Sequence, residues 1–275
     1  MKATLLGTAS GLPASDRFGQ TIVLTPEDEA DSFFILDSGD GASSLLMRHG
    51  FDHRNLRGIF ISHMHADHHG GFAQVVKTCM HLNKADDLVV LAPEEGIAPL
   101  RAYLDASYLF PQLLGFPIRW VSLAECVGQR IALPGGIALE VYPNAHLAWF
   151  RERVGQMDAP PRPCTFESYS AVFAQNGHRV IYSGNLHGPK GSDEMEPFVE
   201  PCDLLIAELA HVDPVELGRF LAGRAVRHTV VTHFHPKWNG VPDADILALI
   251  RQGAGETGLR GEVSLARDGH TFACR

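Results

Sequence analysis

The stretch IFISHMHADHHGG, residues 59–71, sets four histidines and one aspartate within seven positions, immediately behind an apolar run. IFIS reads as the end of a strand, and the two glycines as the opening of a helix. In extended chain, residues two apart project to the same side, so His63 and His65 point together. Asp67 and His68 follow as the chain turns. Three imidazoles and a carboxylate then converge, which is unfavourable without a cation because the rings desolvate one another and repel when protonated. A divalent ion of zinc type turns the same set into good ligands. A solvated polar loop, a fortuitous histidine tract and hydrogen-bonded core histidines are the competing readings. The spacing, at the carboxyl end of a strand, favours ligation. His69 is the expected bystander.

The chain around this stretch has 275 residues, 45% of them apolar and 20% charged. That suffices for a large buried core and argues against disorder. A formal charge of -9 argues mildly against a long polyanion as main partner. Five cysteines, widely spaced and without a C-x-x-C pair, suggest a reducing compartment rather than a disulfide framework. The opening MKATLLGTASGLPASD meets Gly, Ser and Pro too early for a signal segment. No apolar run approaches the roughly 18 residues that span a bilayer. A cytoplasmic protein with no membrane partner is expected.

Strand-like and helix-like segments alternate. ATLLGT, TIVLTP, FFILDSG, LRGIFIS and DLVVLAP read as strands. ASSLLMRHG, GGFAQVVKTCMHLNK and EEGIAPLRAYLDASYL read as helices. Residues 129–142 suggest a hairpin turned at PGG, and SYSAVFAQNGHRVIYSGN a second one turned at Asn176-Gly177. DLLIAEL, a helix in DPVELGRFLAGR, HTVVTHF, a helix from Asp243 and a closing pair, EVSLAR and HTFACR, complete the chain. Hairpins mixed with strand–helix units predict an α/β chain of layered sheets with helices outside, not a doubly wound parallel sheet. Residues 148–167, with three prolines, are expected to form an irregular loop or lid within a single domain over residues 1–275.

The pattern H-x-H-x-D-H, here His63, His65, Asp67 and His68, resembles the signature of the metallo-β-lactamase superfamily of hydrolases. The resemblance implies an αββα sandwich holding two metals. One takes the first two histidines and a later one; the other takes the aspartate, the adjacent histidine and a histidine near the C-terminus. In order, His146 in VYPNAHLAWF resembles the later histidine, though a strand-end histidine satisfied by backbone is the alternative. VIYSGN resembles Y-S-G-D, which puts Asn185 in the place of the bridging carboxylate. VVTHFHP supplies His233, favoured over His235, as the last ligand. Asp37 in FFILDSGDG is either a partner orienting a ligand histidine or a turn residue.

The opening LGTASGLPASDR resembles the L-G-T-x-x-G-x-P start of the ribonuclease Z-like branch. GTASGLP alone is weak as a phosphate cradle. In IAELAH, Glu208 and His211 resemble the pair that assists proton transfer in that branch; a purely structural pair is the alternative. The implied activity is hydrolysis of a phosphodiester by a zinc-activated hydroxide, with Asp67, His211 and Glu208 as catalytic residues and Mn²⁺ or Fe²⁺ as alternative metals. Two departures qualify it. Asn185 is an amide, with one usable oxygen and no charge, so it bridges two cations poorly; one or two metals per chain are expected, the second held weakly. No long basic, Gly-rich arm is apparent, which favours a small or single-stranded phosphodiester over structured tRNA. Family members are often dimers, so a homodimer is expected although no clear interface shows. Lactone, ester or thioester hydrolysis is the rival activity. A catalytically weakened metal-binding accessory protein is the rival class.

Overall fold

Apolar residues occupy successive rather than alternate positions in most strands, so both faces of each sheet need a cover. In β3 (Phe33–Ser38), Phe34 and Leu36 face one core while Phe33 and Ile35 face another. The computed structural model describes residues 1–12, 14–159 and 162–274. Pro13, at the end of GTASGLP, and Pro160 and Pro161, within the expected lid, lie outside the described residues.

Two sheets of seven strands carry the fold. The first contains β1 (Lys2–Gly7), β2 (Thr21–Thr25), β3, β4 (Leu56–Phe60), β5 (Leu88–Ala92) and β6 (Ile118–Ser122). The second contains β7 (Ile131–Ala132), β8 (Ala138–Pro143), β9 (Tyr169–Gln175), β10 (His178–Tyr182), β11 (Cys202–Leu209), β12 (Val226–Phe234) and β13 (Glu262–Leu265). The last strand, β14 (His270–Ala273), returns to the first sheet beside β1. In each sheet one half is antiparallel and the other parallel: β3 to β6 in the first, β10 to β13 in the second.

Helices α1 (Ala42–Arg48), α3 (Phe72–His81) and α4 (Glu94–Ala106) cover the outer face of the first sheet. Between α1 and α3 in the chain lies the one-turn α2 (Ala66–His69). The short α5 (Leu123–Cys126) follows β6, and α6 (Ala148–Gly155) follows β8. Helices α7 (Pro214–Leu221) and α8 (Asp243–Ala254) cover the second sheet. The layers are therefore α, β, β, α, as the resemblance implied. Between the sheets, Phe60 meets Phe173 edge-on at 5.9 Å and Tyr182 at 6.5 Å, tying β4 to β9 and β10.

Several expectations need correction. EVSLAR and HTFACR do not pair: β13 adds to β12 and β14 to β1, so the closing strands sit in different sheets. The segment expected as an irregular lid is helical over Ala148–Gly155, because its prolines all lie beyond that stretch and AWFRERVG contains good helix formers. β6 and α5 went unread, since IRWVS alternates weakly between two half-buried faces. His53 is fully buried in a one-turn 3₁₀ segment, its Nε2 3.1 Å from Ser43 Oγ.

Phe60→Ala should lower unfolding free energy by about 3–5 kcal/mol, the usual cost of emptying a large aromatic site. The check is a urea titration followed by circular dichroism. A loss under about 1 kcal/mol would mean that the sheets are held together elsewhere.

Candidate metal centre

All the ligand candidates sit where strands end on one edge of the sandwich. Beyond β4 the chain stays extended and crosses to the other sheet: Tyr169 N donates to Ser62 O at 3.1 Å, and His63 bridges Ser168. His63 is thereby fixed at the junction of the sheets. Asp67 and His68 ride on α2, whose close seating depends on small neighbours. A Cβ on Gly39 would lie 2.7 Å from Asp67 O, and one on Gly71 would lie 2.2 Å from Gly39 O. Gly71 thus serves close approach; its own φ of −84° is ordinary.

His233 reaches the site through an irregularity. In the β11–β12 register Glu208 faces Thr232 and Leu209 faces Phe234, so His233 is an extra, bulged residue with φ 55°. A bulge re-aims a side chain that strand alternation would send elsewhere. Asp37 is placed the same way: Thr21 faces Ser38 and Ile22 faces Leu36, leaving Asp37 bulged at φ 56°. A left-handed backbone at a non-glycine residue costs of order 1–3 kcal/mol, and such strain collects at functional sites.

Two triads result. His63, His65 and His146 form one, Asp67, His68 and His233 the other, with ligand atoms in each within 4.8 Å of one another. His146 Nε2 lies 3.2 Å from His65 Nδ1. Asp67 Oδ2 lies 3.1 Å from His68 Nε2 and 3.7 Å from His233 Nε2. Asn185, following β10, stands against the second triad, its Nδ2 3.3 Å from His68 Nε2 and 3.1 Å from His233 Nε2. His235 stays outside, its Nδ1 accepting from Lys237 N at 3.0 Å, and His69 belongs to neither triad.

Burial sets the electrostatics. It pushes His63 and His233 well below the usual histidine range, His146 down to about 2, and lowers His65. Those rings are neutral near pH 7, with lone pairs ready for a cation. Burial pulls on His68 too, but the Asp37 carboxylate, 2.5 Å from Nδ1, outweighs it and with Asp67 lifts His68 to about 10. Burial likewise opposes ionisation of Asp67, yet the hydrogen bond from His68 and its charge hold that carboxyl well below the usual range.

Asp37 is the hub behind the ligands. It also accepts from Ser62 N at 2.7 Å, Ser62 Oγ at 2.8 Å and Tyr182 Oη at 2.5 Å. Ser62 Oγ in turn lies 3.0 Å from His63 Nδ1, so one carboxylate orients a histidine of each triad. Ser62 was not singled out in the sequence; Tyr182 and Gly11 stand at fixed positions of the Y-S-G-D-like and L-G-T-x-x-G-x-P-like motifs, and a Cβ on Gly11 would meet Asp67 Oδ1 at 3.3 Å. Gly11 therefore lies directly against Asp67. Ser62 carries no local signal beyond adjoining the histidine motif.

The donor set fits a divalent cation. His63 Nε2 and Asn185 Oδ1 are buried without a hydrogen-bond partner, which is costly unless something binds there. At the rim, Glu208 is buried; its Oε2 accepts from Ala210 N at 2.6 Å and His211 N at 2.9 Å, and Oε1 lies 3.4 Å from His211 Nδ1. The partly exposed His211 ring lies 4.7 Å from that of His146, within reach of anything held by the triads.

Residues 40–246 match the family model described as a beta-lactamase superfamily domain. Ribonuclease Z of Staphylococcus aureus is 29% identical over 126 residues, which is 46% of this chain and 40% of that protein. The match thus spans about two fifths of the relative's length. The metallo-beta-lactamase fold protein YhfI of Bacillus subtilis superposes with a TM-score of 0.71 at 18% identity, over 98% of each chain. The short form of human tRNase Z superposes with a TM-score of 0.67 at 18% identity over 100% of each. These likenesses establish the fold. No helix among the described residues is long and apolar enough to cross a membrane.

Asp37→Ala should weaken metal binding about 10–100-fold, the usual effect of removing a partner that orients ligand histidines. Competition with a chromophoric chelator measures it, and unchanged affinity would remove Asp37 from that role. Elemental analysis of the native protein should find one tightly held ion per chain, and two after Asn185→Asp. Two tight zincs in the native protein would defeat the reasoning from amide charge.

Proposed function

The chain belongs to the beta-lactamase superfamily, and on that premise we propose that it is a zinc-dependent hydrolase of small or single-stranded phosphodiesters. The observation that carries the reading is the convergence of two ligand triads from both sheets, with the Glu208–His211 pair at their rim. The same convergence supports one domain over residues 1–275, because neither sheet completes the centre alone. Unpaired cysteines at all five positions suit the reducing, cytoplasmic setting expected from the sequence.

The cations, when bound, supply a water made acidic near neutral pH and positive charge to offset a pentacoordinate phosphorus. His63, His65 and His146 would hold one, and Asp67, His68 and His233 the other, with Asn185 alongside. Everything further falls to the chain's own groups. Asp67 turns Oδ2 toward His68 and His233, and its whole carboxylate lies beside Gly11. Its second oxygen can accept from the attacking water and fix its orientation toward phosphorus. The Asp37 hub keeps His63 and His68 from rotating as charge develops. Glu208, held by backbone amides, keeps His211 Nδ1 turned inward, which leaves Nε2 free to protonate the leaving alkoxide.

Asn185, whose Oδ1 is buried and unpartnered, favours a second reading, a catalytically weakened metal-binding accessory protein. Negligible turnover on every ester class, recovered by Asn185→Asp, would support it over the first.

His211→Ala should cut turnover of alkyl-leaving phosphodiesters about 10²–10⁴-fold, the range for a positioned general acid. Bis(p-nitrophenyl) phosphate, whose phenolate leaves unaided, should suffer far less. Equal losses on both substrates would take His211 out of the proton-donor role. Zinc removal by chelation should abolish both activities, and zinc readdition restore them.

A further inference from the structure

Helix α6 is unusual in burying none of its residues. It begins two positions after His146, so it cannot move far from the first triad. Its first turn carries Trp149 and Phe150, 55% and 40% exposed, packed edge-to-face at 4.8 Å. The Phe150 ring lies 5.1 Å from that of His65. Of the other two tryptophans, Trp120 and Trp238 each pack against a core. The helix is tied down by polar contacts instead, Arg151 Nη2 donating to Thr165 O at 3.2 Å and Phe166 O at 3.4 Å.

Two large aromatic rings left about half exposed beside a metal centre forgo much of the stabilisation that full burial would give. They are, however, well placed to stack on a flat group of a bound substrate. The guanidinium of Arg153 stands 5.5 Å over the Trp149 ring, while Arg151, on the other side of the helix, is held by the Thr165 and Phe166 carbonyls. Aromatic rings interleaved with arginines are what a nucleotide strand requires: faces for bases and cations for phosphates. A neutral acyl chain, as in a lactone substrate, would gain nothing from the arginines.

We infer that Trp149 and Phe150 form a base-stacking platform beside the metal centre, so that the substrate class is a nucleotide or short single-stranded oligonucleotide. This rests on the phosphodiesterase reading and narrows it. The scissile phosphate lies at the triads, and the base joined to it by its sugar rests against Phe150 and Trp149.

The test compares binding of adenosine 5′-monophosphate and ribose 5-phosphate to the zinc-loaded protein by calorimetry and tryptophan fluorescence. The two ligands differ only in the base. The nucleotide should bind about five-fold or more tightly, the lower end for stacking one base, and quench fluorescence. Phe150→Leu and Trp149→Leu should each shrink that preference, and Trp149→Phe should keep it while losing the quench. Equal binding of the two ligands, or a preference surviving both leucine variants, overturns the platform. Hydrolysis of methyl p-nitrophenyl phosphate, which has no base, reports separately on the chemistry. If it is absent while the nucleotide preference holds, the platform stands and the phosphodiesterase reading falls.

Discussion

The hydrogen bond between Asp37 and His68, 2.5 Å long and buried on both sides, is the constraint on which the centre depends. Gathering five imidazoles away from water costs free energy, because each loses hydration and no ring can share its proton cheaply. The structure meets that cost by fixing one carboxylate behind the cluster and feeding it four donors from the segment after β4, from β10 and from α2. Asp37 can serve all of them only because it is bulged out of β3 at positive φ. A residue in regular alternation there would send its side chain into one of the two apolar cores. Strain in the backbone is thus exchanged for order among the ligands.

His233 repeats the device on the other sheet. Its bulge in β12 breaks register with β11 at Glu208, the residue that holds His211. One irregularity therefore sets both the aim of His233 and the spacing of the Glu208–His211 pair beside it. The two sheets, each half antiparallel and half parallel, bring equivalent bulges to the same edge. The core pair Phe60 and Phe173 fixes the distance between them.

This arrangement explains what could be read from the sequence. His63, His65, Asp67 and His68 are legible because their geometry is local: one strand end, one turn, one helical turn. The Asn176-Gly177 hairpin is legible for the same reason, both residues taking positive φ. The strand pattern gave the layers because buried faces impose apolar runs. What could not be read is what depends on a partner. Nothing in EVSLAR or HTFACR says that the chain changes sheets between them. Nothing in FFILDSG says that Asp37 is bulged, since the bulge is defined against β2. The contact of Gly11 with Asp67 joins segments more than fifty residues apart. Reading the lid as irregular erred in letting distal prolines speak for a proline-free stretch before them.

The two sides of the centre are unequal. One triad consists of neutral imidazoles and abuts the aromatic start of α6; the other contains the carboxylate, the raised His68 and the amide of Asn185. A carboxylate at position 185 would add one negative charge beside the second triad; an amide leaves that triad with Asp67 as its one anionic group. The chain thus keeps more positive potential at the centre, to be balanced by whatever enters. An anionic substrate meets that demand directly, and a neutral ester does not. With an amide at position 185, Asp67 is the one anionic group among the six triad residues, and the balance of charge at the centre rests on it.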